Sequence, residues 1–239
     1  SGFDNPEVAF AKELGISVWT QGEAVGKFMD GEIFNRRQLG ISVTGSHGKT
    51  TTTAMLATVL KEAGMDPSYV IGTGNVYSLG SNGHYGRGKY FIAEADEYAN
   101  EPTYDKTPKF LLQHPEILIF TNIELDHTDL YPSIDKVREA FLRFAQQLPS
   151  SAVLIAYGGD PQTEKLLKDY HGRFITFGFT QNCEFTITRI STTSEQTFFW
   201  LSSLGRSLGE FALSVPGDHN VLNATAVIVT ALECGVSVD

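Results

Sequence analysis

The sequence predicts an α/β fold: a mostly parallel sheet flanked by helices, with a small antiparallel hairpin or sheet towards its end. Three observations carry this. From residue 39 onward, strongly apolar runs alternate with helical segments, as strands buried on both faces do. A glycine turn, "TGSHGKT", joins one of these runs to a helix in the strand, turn, helix order of a phosphate-binding P-loop. From Cys183 to Val215 the pattern changes to period two in "CEFTITRISTTSEQTFFWLSS", as in a half-exposed antiparallel hairpin.

The elements follow in order. Asp4 or Asn5 can cap a first helix with Pro6 at its first position, Val8, Ala9, Ala11 and Leu14 on one side, and Gly15 as its stop. "ISVW" is read as a short strand, and "QGEAVGKFMDGEIFNRRQ" as a second helix with a polar connector. A domain boundary is placed near residue 37. Strand "LGISVTG" then leads into a helix from Thr50 to Ala63, with Met55, Leu56, Val59 and Leu60 spaced for a buried face and Gly64 at its end. Strands are expected at "SYVIGT", "KYFIAEA", "ILIFTNI", "AVLIAYG" and "RFITFGF". An amphipathic helix is expected between Ser133 and Leu148, and a last helix from about His219 to Cys234, capped by Asp218 and stopped by Gly235.

At 239 residues the chain is long enough for one large domain or one and a half, with a core that needs no covalent staples. Eighteen basic against 28 acidic residues give a net charge of −10 with no basic cluster, which argues against a nucleic-acid partner. Cys183 and Cys234 form no C-x-x-C pair, so neither a zinc knuckle nor a disulfide framework is expected, in keeping with a cytoplasmic protein. No run reaches the roughly 18 apolar residues of a membrane span. The sequence assigns no oligomeric state.

Four clusters carry chemistry. In "TGSHGKT", Gly45 and Gly48 allow close backbone approach, Lys49 can reach terminal phosphates and the Thr50 hydroxyl can hold Mg²⁺. The spacing departs from the common loop, with Val43 where the leading glycine would stand, so a plain strand-to-helix turn with a solvated lysine stays open. "FIAEADEYANE" crowds Glu94, Asp96, Glu97 and Glu101 at the end of an apolar strand, where a cation or solvent must relieve the repulsion. Asp126, His127 and Asp129 in "TNIELDHTDLY" suit Mg²⁺ or Mn²⁺ better than zinc, and a hydrogen-bonded surface histidine is the alternative. In "PGDHNVLNATA", His219, Asn220 and Asn223 share a helix face that can read a purine edge, or simply cap the helix.

Together and in this order, "TGSHGKTTTT", "AEADE", "TNIELDHTDLY" and "PGDHNVLNATA" resemble the Mur ligases, the ATP-dependent amide-forming enzymes of peptidoglycan assembly. The shortened loop with His47 between its glycines is most similar to the branch that joins L-alanine to UDP-N-acetylmuramate. The resemblance implies a Rossmann-like N-terminal fragment over 1–36, the end of a UDP-substrate domain, and a central ATP-binding domain over 37–239. It also implies a third, amino-acid-binding domain past Asp239, without which the isolated chain is expected not to ligate.

Carried over by motif, Gly45, Ser46, His47, Gly48, Lys49, Thr50 and Thr51 would hold the nucleotide phosphates, and Asn75 would approach them. Thr50 and Glu94 would ligate one Mg²⁺ and His127 a second metal, with Lys49, Glu94 and His127 as the catalytic set. His219, Asn220 and Asn223 would hold adenine. Leu142 stands in the neighbourhood where several relatives carry a modified lysine, in agreement with the alanine-adding branch. The long loop "DEYANEPTYDKTPKF" instead resembles the branch that joins a tripeptide to the same sugar nucleotide, and this is kept as the near alternative. A folate-polyglutamate-type ligase of the same fold is disfavoured by the "HNVLN" match. A non-catalytic ATP-binding regulatory module is the alternative from a different class; it would need no metal ligands.

Overall fold

The computed structural model describes residues 5–238. Helix α1 (Pro6–Glu13) begins where the Asn5 side chain accepts the Glu7 N–H. Asp4, the other expected cap, lies outside the described residues. No strand forms at "ISVW". Ile16 and Trp19 stay exposed there, and no neighbouring strand supplies the ladder that a strand requires. Helix α2 (Gln21–Met29) starts with a capping box in which Thr20 and Glu23 satisfy each other's backbone N–H.

The remaining strands and α-helices are β1 (Leu39–Thr44), α3 (Lys49–Glu62), β2 (Ser68–Val70), β3 (Gly83–His84), β4 (Tyr90–Glu94), β5 (Ala99–Glu101), β6 (Asp105–Pro108) and, after a 3-10 turn at Lys109–Leu112, β7 (Ile117–Phe120). They continue with α4 (Ile134–Gln146), β8 (Val153–Tyr157), α5 (Pro161–Asp169), β9 (Phe174–Gly178), β10 (Phe185–Thr192), β11 (Thr197–Ser203), β12 (Arg206–Leu213) and α6 (Asp218–Glu233). Ten strands form one sheet in the order β12-β11-β10-β9-β8-β7-β1-β4-β2-β3. From β10 through β2 every neighbouring pair is parallel.

The expected hairpin is a three-stranded meander, β10 to β12, and it continues the main sheet because β10 pairs with β9. Helix α5 is an element the sequence reading missed, although its signals were present: Asp160 caps it and Pro161 opens it. The acidic loop after β4 folds into the separate ribbon β5–β6.

Strand alternation sorts the core. Ile117 and Ile119 face one side with Ile41, Val43, Leu56 and Val227, under α3 and α6. Leu118 and Phe120 face the other with Phe110, Phe141 and Phe144, under α4. Helix α2 lays Val25 and Met29 on Phe91 and Ala93. The buried face of α3 is Thr52, Thr53, Leu56, Ala57 and Leu60, so Val59 is exposed and Met55 only partly covered. The face is rotated from the expected one because the first-turn threonines, not Met55 and Val59, point into the sheet. Helix α6 is capped by Gly217 at φ 102°, with no side-chain cap from Asp218. Among the described residues, no helix is long and apolar enough to cross a membrane.

Candidate active site

Strand β1 lies between β4 and β7, and the chain leaves its C-terminal end for β2 on one side before returning to β7 on the other. In such sheets ligands bind beyond the strand ends at this switch point. The turn from Gly45 to Gly48 sits there. Gly45 has φ 135°, and an added Cβ would lie 2.1 Å from Thr121 Oγ1. Gly48, at φ 81°, is the N-cap of α3 and offers no side-chain cap, so the first-turn N–H groups carry no protein cap. Unpaired N–H groups at a helix N-terminus are donors that an anion's oxygens can accept from.

The loop is braced by the segment after β7. Asn122 O accepts from Ser46 N–H at 3.1 Å, and Asn122 Oδ1 accepts from His47 N–H at 2.9 Å. Ser46 Oγ accepts from Glu124 N–H at 2.8 Å. The His47 ring lies outside, exposed, 3.5 Å from Glu124. Thr51 is exposed on the first turn of α3.

Two side-chain groups converge beside the turn. Thr50 Oγ1 donates to Glu94 Oε2 at 3.0 Å, and Gly72 N–H donates to Glu94 Oε1 at 2.6 Å. Burial pushes the Glu94 carboxyl above its ordinary value, against the lowering effect of the Gly72 and Thr50 bonds. The second group centres on Glu97. Lys49 Nζ donates to it at 3.0 Å and also to Gly45 O at 2.7 Å, while His127 Nε2 lies 3.4 Å from Glu97 Oε1. Tyr98 packs its ring on His127 with centroids 4.0 Å apart.

The expected catalytic set therefore divides. Glu94 stands with Thr50, whereas His127 and Lys49 meet on Glu97, which the sequence places only among the crowded acids. Its "A-D-E" spacing was visible, but the partners that give it a role come from α3 and the loop after β7. Among the described residues no three His, Cys, Asp or Glu side chains are grouped as a cage, those of Asp126, His127 and Asp129 included. His127 turns instead towards Glu97 and Asp126, at 3.4 and 3.5 Å.

The adenine set is also split. Asn223 is buried with its Oδ1 2.6 Å from where a Gly48 Cβ would lie, so it packs closely against the turn. Asn220 Nδ2 donates to Pro216 O at 2.7 Å, and His219 is exposed against Gly217. Asn75 is exposed in a loop whose contact with the site is made by Gly72. A cleft of about 540 Å³ opens on the far side of Tyr98, between residues 18–23 and the β5–β6 ribbon, lined by Trp19, Gln21, Asn100 and Lys109.

Comparison with known proteins decides the family. Residues 43–231 match the model of the Mur ligase middle domain. The chain belongs to the Mur ligase family. This Mur ligase chain is 38% identical over 230 residues to the UDP-N-acetylmuramate–L-alanine ligase of Syntrophotalea carbinolica, covering 96% of the chain and 47% of that relative. The chain spans about half the length of the curated relatives it matches.

Among solved structures, the UDP-N-acetylmuramate-alanine ligase of Thermotoga maritima superposes with TM-score 0.75 at 28% identity, over 99% of this chain and 50% of that one. The UDP-N-acetylmuramate:L-alanyl-gamma-D-glutamyl-meso-diaminopimelate ligase of Neisseria meningitides gives TM-score 0.82 at 24% identity, over 99% and 72%, a likeness of fold. Both comparisons match the mostly parallel sheet with its antiparallel extension.

Proposed function

We propose that this Mur ligase chain is the ATP-binding part of a cytoplasmic enzyme that activates the carboxylate of UDP-N-acetylmuramate as an acyl phosphate and joins it to L-alanine. The observation that carries the reading is the uncapped N-terminus of α3 behind Gly48, flanked by Lys49 and by the Thr50–Glu94 pair. The residues fit a magnesium nucleotide. Gly45 and Gly48 hold a tight positive-φ turn in which a Cβ would strike Thr121 and Asn223, the first-turn N–H groups are donors, and a hydroxyl stands beside a half-buried carboxylate.

In this reading the loop from Gly45 through Ser46, His47 and Gly48 to Thr51 cradles the phosphates. Lys49 neutralises charge on the β- and γ-phosphates, Thr50 and Glu94 hold Mg²⁺ or Mn²⁺, and His127 serves a second metal near the substrate carboxylate. ATP supplies the phosphoryl group, and positioning and electrostatics do the rest. Asn220, Asn223 and His219 lie towards the base, with Asn75 at the edge. Residues 1–36 are the end of a UDP-substrate domain, and 37–239 the central domain. The cleft between them, beside Tyr98, takes the sugar nucleotide. L-alanine is favoured over a tripeptide by the 36–38% identity to enzymes named for L-alanine.

The test is calorimetric titration of this chain with MgATP. Lys49→Ala removes a charge-assisted contact and is expected to weaken binding on the order of 10–100-fold. Chelation of Mg²⁺ should weaken it as well. Wild-type affinity in Lys49→Ala would overturn the loop assignment. In a ligase of full relative length carrying this sequence, competition of L-alanine against tripeptide separates the two branches.

A further inference from the structure

Glu97 is the feature that the nucleotide reading leaves without a duty. Its side chain is 4% exposed, and a carboxylate buried to that degree must be paired and hydrogen-bonded. Its two partners come from different parts of the fold. Lys49 Nζ, from the first residue of α3, reaches Oε2 at 3.0 Å and Oε1 at 3.3 Å. His127 Nε2, from the loop after β7, lies 3.4 Å from Oε1.

The backbone around this bridge is fixed. Tyr131 donates its hydroxyl to Glu97 O at 2.8 Å. His127 has φ 55°, a left-handed posture that a non-glycine residue holds only when its surroundings impose it. Those surroundings are the Asp126 side chain on its N–H, and the N–H groups of Leu130 and Tyr131 on its carbonyl. Lys49 is also bonded to Gly45 O, which draws its ammonium back across the mouth of the loop.

We propose that Glu97 is a positioning residue with two linked effects. It partly neutralises the Lys49 ammonium and holds it at the loop until phosphate competes for it, and it fixes the His127 ring through the same carboxylate. The first effect opposes nucleotide binding, because a negative charge beside a phosphate site repels the ligand and offsets Lys49. The second favours catalytic geometry. A residue with a merely structural role would lower nucleotide affinity when changed; Glu97 is expected to raise it.

The inference rests on the loop being a nucleotide site. Glu97→Gln keeps the size and removes the charge. In this chain, calorimetry should show MgATP bound about tenfold more tightly than by wild type, the order of one charge-assisted hydrogen bond. In the ligand-free protein, the His127 ring proton signals, shifted by the Tyr98 ring in wild type, should move. Glu97→Asp keeps the charge but is one methylene too short to span both partners. It should bind MgATP within about threefold of wild type and still move the His127 signals.

Unchanged or weaker MgATP binding by Glu97→Gln overturns the opposing effect. Unmoved His127 signals in both variants overturn the bridge. If Glu97→Gln fails to fold, Glu97→Asp decides: MgATP binding more than about threefold weaker than wild type overturns the opposing effect, and unmoved His127 signals overturn the bridge. A wild-type chain that does not bind MgATP defeats the nucleotide reading and the opposing effect with it, while the ligand-free His127 signals still decide the bridge.

Discussion

Replacing Gly48 by alanine tests the turn most directly. At φ 81° an L-residue costs about 1–2 kcal/mol relative to glycine. The new Cβ would also stand 2.6 Å from Asn223 Oδ1, closer than real Cβ contacts come, and Asn223 is buried and must shift. Forcing that side chain off its rotamer adds about 1 kcal/mol, for a sum of about 2–3 kcal/mol.

In a domain of this size that lowers Tm by about 4–12 °C. Gly64→Ala is the internal control, because φ is a similar 74° but nothing lies within 4 Å of the added Cβ. It should show the backbone cost alone. Urea denaturation followed by circular dichroism gives both values, and the excess for Gly48→Ala should vanish when Asn223 is also changed to alanine. If the two glycine variants lose the same stability, the close approach of Asn223 to the loop is wrong. MgATP binding should fall for Gly48→Ala and be unaffected by Gly64→Ala.

Two further outcomes follow from the packing. Phe141, fully buried, meets Phe110 and Phe120 edge-on at centroid distances of 5.4 and 5.5 Å, so Phe141→Ala should cost about 3–5 kcal/mol in the same denaturation assay. Tyr90 is buried with its hydroxyl donating to Cys234 O, and burial pushes its pKa from 10.0 up to about 12. The folded state therefore holds this proton more tightly than the unfolded chain. The group's contribution is fully present below pH 10 and lost as pH rises towards 12. The stability of wild type relative to Tyr90→Phe should fall across that window, and a flat difference would contradict the assigned burial.

Much of the fold was legible because its signals are local. Pro6 behind Asn5, Ser133 before an amphipathic run, and glycines at 64 and 235 are enough to set helix ends. Apolar runs that alternate with helices mark a covered parallel sheet whatever the strand order. The failures also have local causes. "ISVW" has strand composition but no ladder partner, and Asp218 precedes a helix that a positive-φ glycine already caps. Helix α5 carried readable signals at Asp160 and Pro161 that the longer apolar runs on either side overshadowed.

By itself the sequence determined the Gly45–Gly48 turn with its lysine and threonine, and the family, because these depend on a contiguous segment whose backbone conformation is dictated by Gly45 and Gly48. The pairing of Thr50 with Glu94 and of Lys49 with Glu97 and His127 was decided only in three dimensions. Those side chains come from three strand ends that β1, β4 and β7 bring side by side. Strand order and register set which acid faces which base, and no spacing within a single segment encodes that.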